Sequence, residues 1–127
     1  MRPHLVDFLE AATEQKIKIA LVSSASRWMI EKILDKLNLN KYFDFIISKE
    51  DVSKHKPDPE AFLLAIRKLD ATHKQTLVFE DSEAGVKAAQ AAGCSFVFVR
   101  HDFNSRHDNR NSFLTIDTFA DLQKAIL

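Results

Sequence analysis

The chain is poor in the residues that make cross-links and special-purpose loops. One cysteine, Cys94, occurs in 127 residues, so no intrachain disulfide can form, as expected of a chain kept in a reducing cytoplasm. Only two glycines are present, Gly85 and Gly93, which excludes a glycine-rich loop for nucleotide phosphates. No apolar run approaches the length that crosses a bilayer. The first residues, Met1-Arg2-Pro3-His4-Leu5-Val6-Asp7, lack the charged-then-apolar pattern of a secretory signal. Neither sign of charge is in excess: 18 basic and 18 acidic side chains give a formal net charge of zero. A general electrostatic hold on nucleic acid or on an anionic membrane is therefore not expected.

What the chain does have is apolar content in a regular order. Hydrophobic residues make up 46%, enough for the core of one domain and against disorder. Leu5, Phe8, Leu9 and Ala12 recur at helical spacing. Ile17 to Val22 is a β-branched run that reads as a buried strand ending at Ser23-Ser24. Ile30, Ile33, Leu34 and Leu37 mark a second helix with Ser26 as its N-cap. Phe43, Phe45, Ile46 and Ile47 give a second strand. Asp58-Pro59 signals a helix start, with the acid at the N-cap and proline at the first helical position, and Phe62, Ala65, Ile66 and Leu69 give that helix its apolar face. Gln75 to Phe79 reads as a third strand, Ser82 to Ala92 as a helix stopped by Gly93, and Phe96 to Val99 as a fourth strand. A polar loop from Arg100 to Asn111, a short strand from Phe113 to Ile116 and a closing helix with Phe119, Leu122 and Ile126 complete the pattern. Strands alternating with amphipathic helices predict an α/β fold, a three-layer Rossmann-like parallel sheet.

Chemistry concentrates at the ends of these strands. Glu80 and Asp81 stand side by side where the third strand turns into a helix, the place where α/β sheets bind ligands. Adjacent acids repel unless a cation or donor groups neutralise them, and a hard divalent cation with oxygen ligands suits the pair. The plainer alternative is that Asp81 caps the helix and Glu80 is solvated. Ser23 and Ser24 follow the first strand and precede a helix, where hydroxyls and exposed N–H groups suit an anion; ordinary capping is the plainer alternative. Lys56 lies in Lys54-His55-Lys56-Pro57-Asp58-Pro59, a loop stiffened by two prolines. A fixed lysine there serves as a point charge for phosphate, with a solvated basic loop as the alternative and Lys54 as the decoy.

Taken in order, these segments carry a resemblance. Ile19-Ala20-Leu21-Val22-Ser23-Ser24-Ala25-Ser26, then Lys56-Pro57-Asp58-Pro59-Glu60-Ala61-Phe62, then Val78-Phe79-Glu80-Asp81-Ser82-Glu83-Ala84-Gly85 resemble the second, third and fourth motifs of the haloacid dehalogenase superfamily. The Glu-Asp-Ser-x-x-Gly form resembles the β-phosphoglucomutase and sugar-phosphate phosphatase branch. The resemblance implies that Ser23 hydrogen-bonds a phosphoryl oxygen with the Ser24 amide beside it. It implies that Lys56 neutralises the phosphoryl group, that Asp81 ligates Mg²⁺, and that Glu80 is a further ligand or outer-shell partner. The implied substrate is a small phosphorylated metabolite, and the implied activity a phosphatase or phosphomutase.

The family's first motif, Asp-x-Asp-x-Thr or -Val, supplies the nucleophile and the general acid/base. No Asp-x-Asp occurs in this chain; Asp58 and Asp117 have no aspartate two residues on. In the family the strand bearing that motif lies between the strands that end here at Ser23 and at Glu80. Residues 1–127 are therefore expected to form a partial core without the cap and without its central strand, and the Ser23 and Glu80 strands are expected not to pair. A complementing N-terminal chain or self-association is the expected partner, and a pseudoenzyme or interaction module that keeps the phosphate and metal site is the alternative.

Other polar and aromatic residues read more plainly. His101-Asp102 and His107-Asp108 are expected in a solvated loop, and His55 on a loop surface. Cys94 reads as a small buried residue. Trp28 is expected to pack, an exposed Trp28 being the sign of an interface.

Overall fold

The computed structural model describes residues 5–99 and a strand at 114–116. The order is helix α1 (Leu5–Glu14), strand β1 (Ala20–Val22), α2 (Arg27–Leu37), β2 (Phe45–Ile47), α3 (Glu60–Lys68), β3 (Leu77–Glu80), α4 (Glu83–Ala91), β4 (Ser95–Val99) and β5 (Leu114–Ile116). The sequence pattern locates each of these; β1, β2, β3 and β5 are shorter than the runs that announce them, and β4 starts one residue earlier, at Ser95. The Arg100–Asn111 loop with its His–Asp pairs, Asp117 and the closing helix lie outside the described residues.

All strand pairs are parallel, and they form two separate sheets: β1 with β2, and β3-β4-β5 in that order. Among the described residues no ladder joins β1 to β3, as the absence of the family's central strand predicts. The fold is thus an incomplete Rossmann-like core. Side chains alternate across each sheet, as the pleat requires. Leu21 and Ile46 face a cluster built on Leu9, Ile30, Leu34, Leu39 and Tyr42. Ala20, Val22 and Ile47 face Ala61 and Ala65 of α3. In the larger sheet Val97, Val99, Leu77 and Phe79 face Leu5 and Phe8 of α1. Val78, Phe96 and Phe98 face Phe62, Ile66 and α4.

Two helices therefore span the split, one on each side. On one side α1 puts Leu9 against the β1–β2 half and Phe8 against the other, its ring meeting Phe79 edge-on at a centroid distance of 5.4 Å. On the opposite side α3 sends Ala61 and Ala65 to the first half and Phe62 and Ile66 to the second.

Three local expectations are refined. Ser26 does cap α2, its Oγ accepting the Met29 N–H at 3.3 Å, but only Ile30 and Leu34 of the predicted apolar face are buried. Ile33 and Leu37 stay half exposed beside Met29, and Trp28 is 68% exposed with Lys32 Nζ over its ring instead of packing inward. At α3 the start shifts by one residue: Pro59 is the N-cap, and the Asp58 carboxylate accepts the Glu60 N–H at 2.9 Å. Gly93 ends α4 as expected, with a left-handed φ of +79° that side chains resist.

A carboxylate ties down the chain leaving β2. Asp51 Oδ2 accepts the Ser48 N–H (2.7 Å), the Ser48 hydroxyl (2.8 Å) and Arg27 Nη2 (2.7 Å). The Ser48 donors above all, with Arg27 beside them, hold the Asp51 carboxyl at about 2, below its ordinary 3.8. A depressed carboxylate contributes stability that is complete above its unfolded value and is lost as pH falls through the folded one. Between pH about 4 and about 2, the wild-type denaturation midpoint is therefore expected to fall more steeply than that of Asp51→Asn, as urea titrations at several pH values would show.

Candidate active site

Strand β3 brings Glu80 to its carboxyl end, and the chain turns at once into α4. Ser82, with extended backbone, is the cap of that helix: its Oγ accepts the Gly85 N–H at 3.0 Å. Asp81 is therefore not the cap, and Glu80 is not solvated. The Glu80 side chain is only 10% exposed and is saturated with donors. Its Oε1 accepts the Asp81 N–H (3.2 Å), the Ser82 N–H (3.3 Å) and the Ser82 hydroxyl (3.0 Å). Its Oε2 accepts Lys56 Nζ at 3.1 Å.

Lys56 reaches this carboxylate from the loop between β2 and α3. The loop is held in place by the first turn of α3. Glu60 accepts the Ser53 and Lys54 N–H groups at 3.0 and 2.7 Å, which lowers the pKa of its carboxyl. The Asp58 N–H donates to His55 O at 3.0 Å. The Lys56 side chain is 15% exposed, and its ammonium sits 5.1 Å from the Phe62 ring centroid. A cation over an aromatic face is attracted by the negative face of the ring. Lys54 and His55 are exposed, and of the two lysines it is Lys56 that reaches the strand ends.

Ser23 lies one residue past β1, at the same carboxyl end of the parallel strands. Its N–H extends the ladder to Ile47 O (3.0 Å), and its Oγ accepts the Ala25 N–H at 3.1 Å. Ser24 is exposed. The structure thus joins Lys56, Glu80, Asp81 and Ser82 in one cluster. Ser23 and Ser24 stand just past the carboxyl end of β1, in the other sheet, with no hydrogen bond to that cluster among the described residues. No group of three or more His, Cys, Asp or Glu side chains capable of enclosing a metal occurs among the described residues. Nor is any helix among them long and apolar enough to cross a membrane. The Lys56–Glu80 contact, across 24 positions, was not legible in the sequence.

With this geometry, the comparison with known proteins is unambiguous at the level of family. The model of the haloacid dehalogenase-like hydrolases matches residues 1–99, and the chain belongs to that family. Among its relatives, a phosphorylated carbohydrates phosphatase from Thermotoga maritima is 37% identical over 103 residues, 80% of this chain and 48% of that protein. A phosphoglycolate phosphatase from Salmonella paratyphi A is 34% identical over 102 residues, 80% of this chain and 40% of that protein. In solved structures, a Thermotoga maritima protein provisionally named a beta-phosphoglucomutase superposes with a TM-score of 0.87 at 31% identity, covering 98% of this chain and 60% of its own. CbbY from Rhodobacter sphaeroides, solved in complex with phosphate, gives 0.88 at 26% identity over 95% of this chain and 55% of its own. The chain spans about half the length of the curated relatives it matches.

Proposed function

We propose that these residues form the phosphate- and metal-binding part of a phosphatase or phosphomutase site for small phosphorylated metabolites. The observation that carries the reading is the shielded Lys56–Glu80 pair at the carboxyl ends of the strands, with Asp81 beside it. Phosphoryl transfer depends chiefly on positioning and on neutralising charge. An ammonium has three N–H donors; Glu80 takes one of those on Lys56, and the others can meet a phosphoryl oxygen and an attacking carboxylate. The Ser23 hydroxyl and the Ser24 N–H supply donors from the β1 side.

Mg²⁺ fits the donor set in a restricted way. It is commonly held by one or two carboxylates, with water and substrate phosphate completing its shell. Glu80 already accepts four hydrogen bonds, so Asp81 is the direct ligand and Glu80 an outer-shell partner. The ion, when bound, would neutralise charge on the transferring phosphoryl group.

The attacking aspartate must come from outside these 127 residues, since no Asp-x-Asp occurs in them. A segment carrying that motif, in the same polypeptide or another, would complete the site. The same absence favours a second reading, a pseudoenzyme that binds phosphate and metal without turnover. With Mg²⁺ and p-nitrophenyl phosphate, residues 1–127 alone are expected to give no turnover, and the protein completed by such a segment is expected to give it. Turnover by the 127 residues alone would contradict the missing nucleophile. A folded, completed protein without turnover would favour the pseudoenzyme.

A further inference from the structure

We propose that Gly85 is a positioning residue for the phosphate site: the space left by its absent side chain is the seat of the Glu80 carboxylate, and through Glu80 it fixes the Lys56 ammonium. The inference deepens the phosphoryl-transfer reading and rests on it for its functional meaning, but the contact itself is independent of that reading. A Cβ placed on Gly85 would lie 1.9 Å from Glu80 Cδ, 2.1 Å from Oε2 and 2.2 Å from Cγ. The three nearest atoms all belong to that one side chain, and one of them is the oxygen that accepts Lys56 Nζ.

Backbone conformation does not require glycine here. Gly85 lies within the first turn of α4, with no left-handed φ, unlike Gly93. Inside a helix glycine is a poorer choice than alanine. Capping does not require it either: any residue other than proline keeps the N–H that donates to Ser82 Oγ. What glycine alone provides is room. Glu80 folds back over the helix start into that room, where its Oε1 meets the Ser82 hydroxyl and its Oε2 faces Lys56. Because the obstructing atoms form the end of a flexible side chain, a Cβ would displace Glu80 and leave the helix in place. Displacing Glu80 forfeits its contacts with Lys56 and Ser82, so Gly85→Ala is expected to cost no more stability than Glu80→Ala, and nothing where Lys56 and Glu80 are already replaced.

The test is Gly85→Ala, read by lysine acetylation resolved by residue in the native protein. Lys56 is expected to be acetylated severalfold faster in the variant, relative to exposed Lys74, while the thermal midpoint falls by no more than in Glu80→Ala. In the completed enzyme, kcat is expected to fall by about a hundredfold, the scale of an ångström-sized misplacement of a charged group. Unchanged Lys56 acetylation in a folded Gly85→Ala variant would overturn the proposal. If the label shifts but the completed wild-type protein never turns over, the phosphoryl-transfer reading fails and the positioning contact stands. Should Gly85→Ala fail to fold, the same change is made in a Lys56→Met/Glu80→Ala background, where the obstruction is gone. A raised thermal midpoint there supports the proposal; an equal loss in that background assigns the glycine to backbone packing and overturns it.

Discussion

Lys56→Met in the completed enzyme is expected to lower kcat by about 10²–10³ while leaving the fold intact, because one preorganised charge aimed at the developing phosphoryl charge is typically of that weight. Methionine keeps the apolar stem over Phe62 and removes the ammonium. Glu80 loses one donor of four and keeps the Asp81 N–H, the Ser82 N–H and the Ser82 hydroxyl. The carboxylate therefore stays solvated by the protein. Steady-state kinetics with p-nitrophenyl phosphate, alongside a thermal melt of the same sample, would separate the two effects. A loss of less than about tenfold would show that the ammonium does not face the transferring group.

Glu80→Ala is expected to act in the other sense, with a stability loss of about 3 kcal/mol, the lower end for breaking a shielded ion pair from one side. The asymmetry lies in what each partner retains. Lys56, 15% exposed, is left with the face of Phe62, while Ser82 and two backbone N–H groups lose their acceptor. Replacing both partners, Lys56→Met with Glu80→Ala, is expected to recover the part of the loss that comes from the stranded ammonium, while the Ser82 and backbone donors still lack their acceptor. Urea denaturation of the two single variants and the double variant closes the cycle. Equal losses in Glu80→Ala and in the double variant would show that the ion pair contributes little and that Glu80 acts through the α4 cap.

Much of this arrangement could be read from the chain. Apolar runs bounded by Ser23-Ser24, by Glu80-Asp81 and by Gly93 located β1, β3 and the end of α4, because buried parallel strands and left-handed helix stops leave strong local signatures. Three ordered motifs predicted the family, and the missing Asp-x-Asp predicted that β1 and β3 would not pair. Other features had no local signature. Ile33 and Leu37 continue the apolar spacing of α2, but a helix buries only the stripe its neighbours cover, and α1 and Tyr42 reach Ile30 and Leu34. Glu80 was paired with its neighbour Asp81 by sequence adjacency. In space it pairs with Lys56, since alternation along β3 puts its side chain on the α3 side with Val78. Gly85 was legible only as the last letter of a motif; the reason for the letter is a distance to a side chain five residues earlier.

The Lys56–Glu80 contact is also a brace. Lys56 stands on the loop that leaves the β1–β2 sheet, and Glu80 ends the first strand of the other sheet. Apart from the apolar bodies of α1 and α3, it is a polar strut across the break. The span between Ser23 and Asp81 therefore depends on the same ammonium that is proposed to grip phosphate. Removing either partner takes away that tie and leaves α1 and α3 to hold the two sheets.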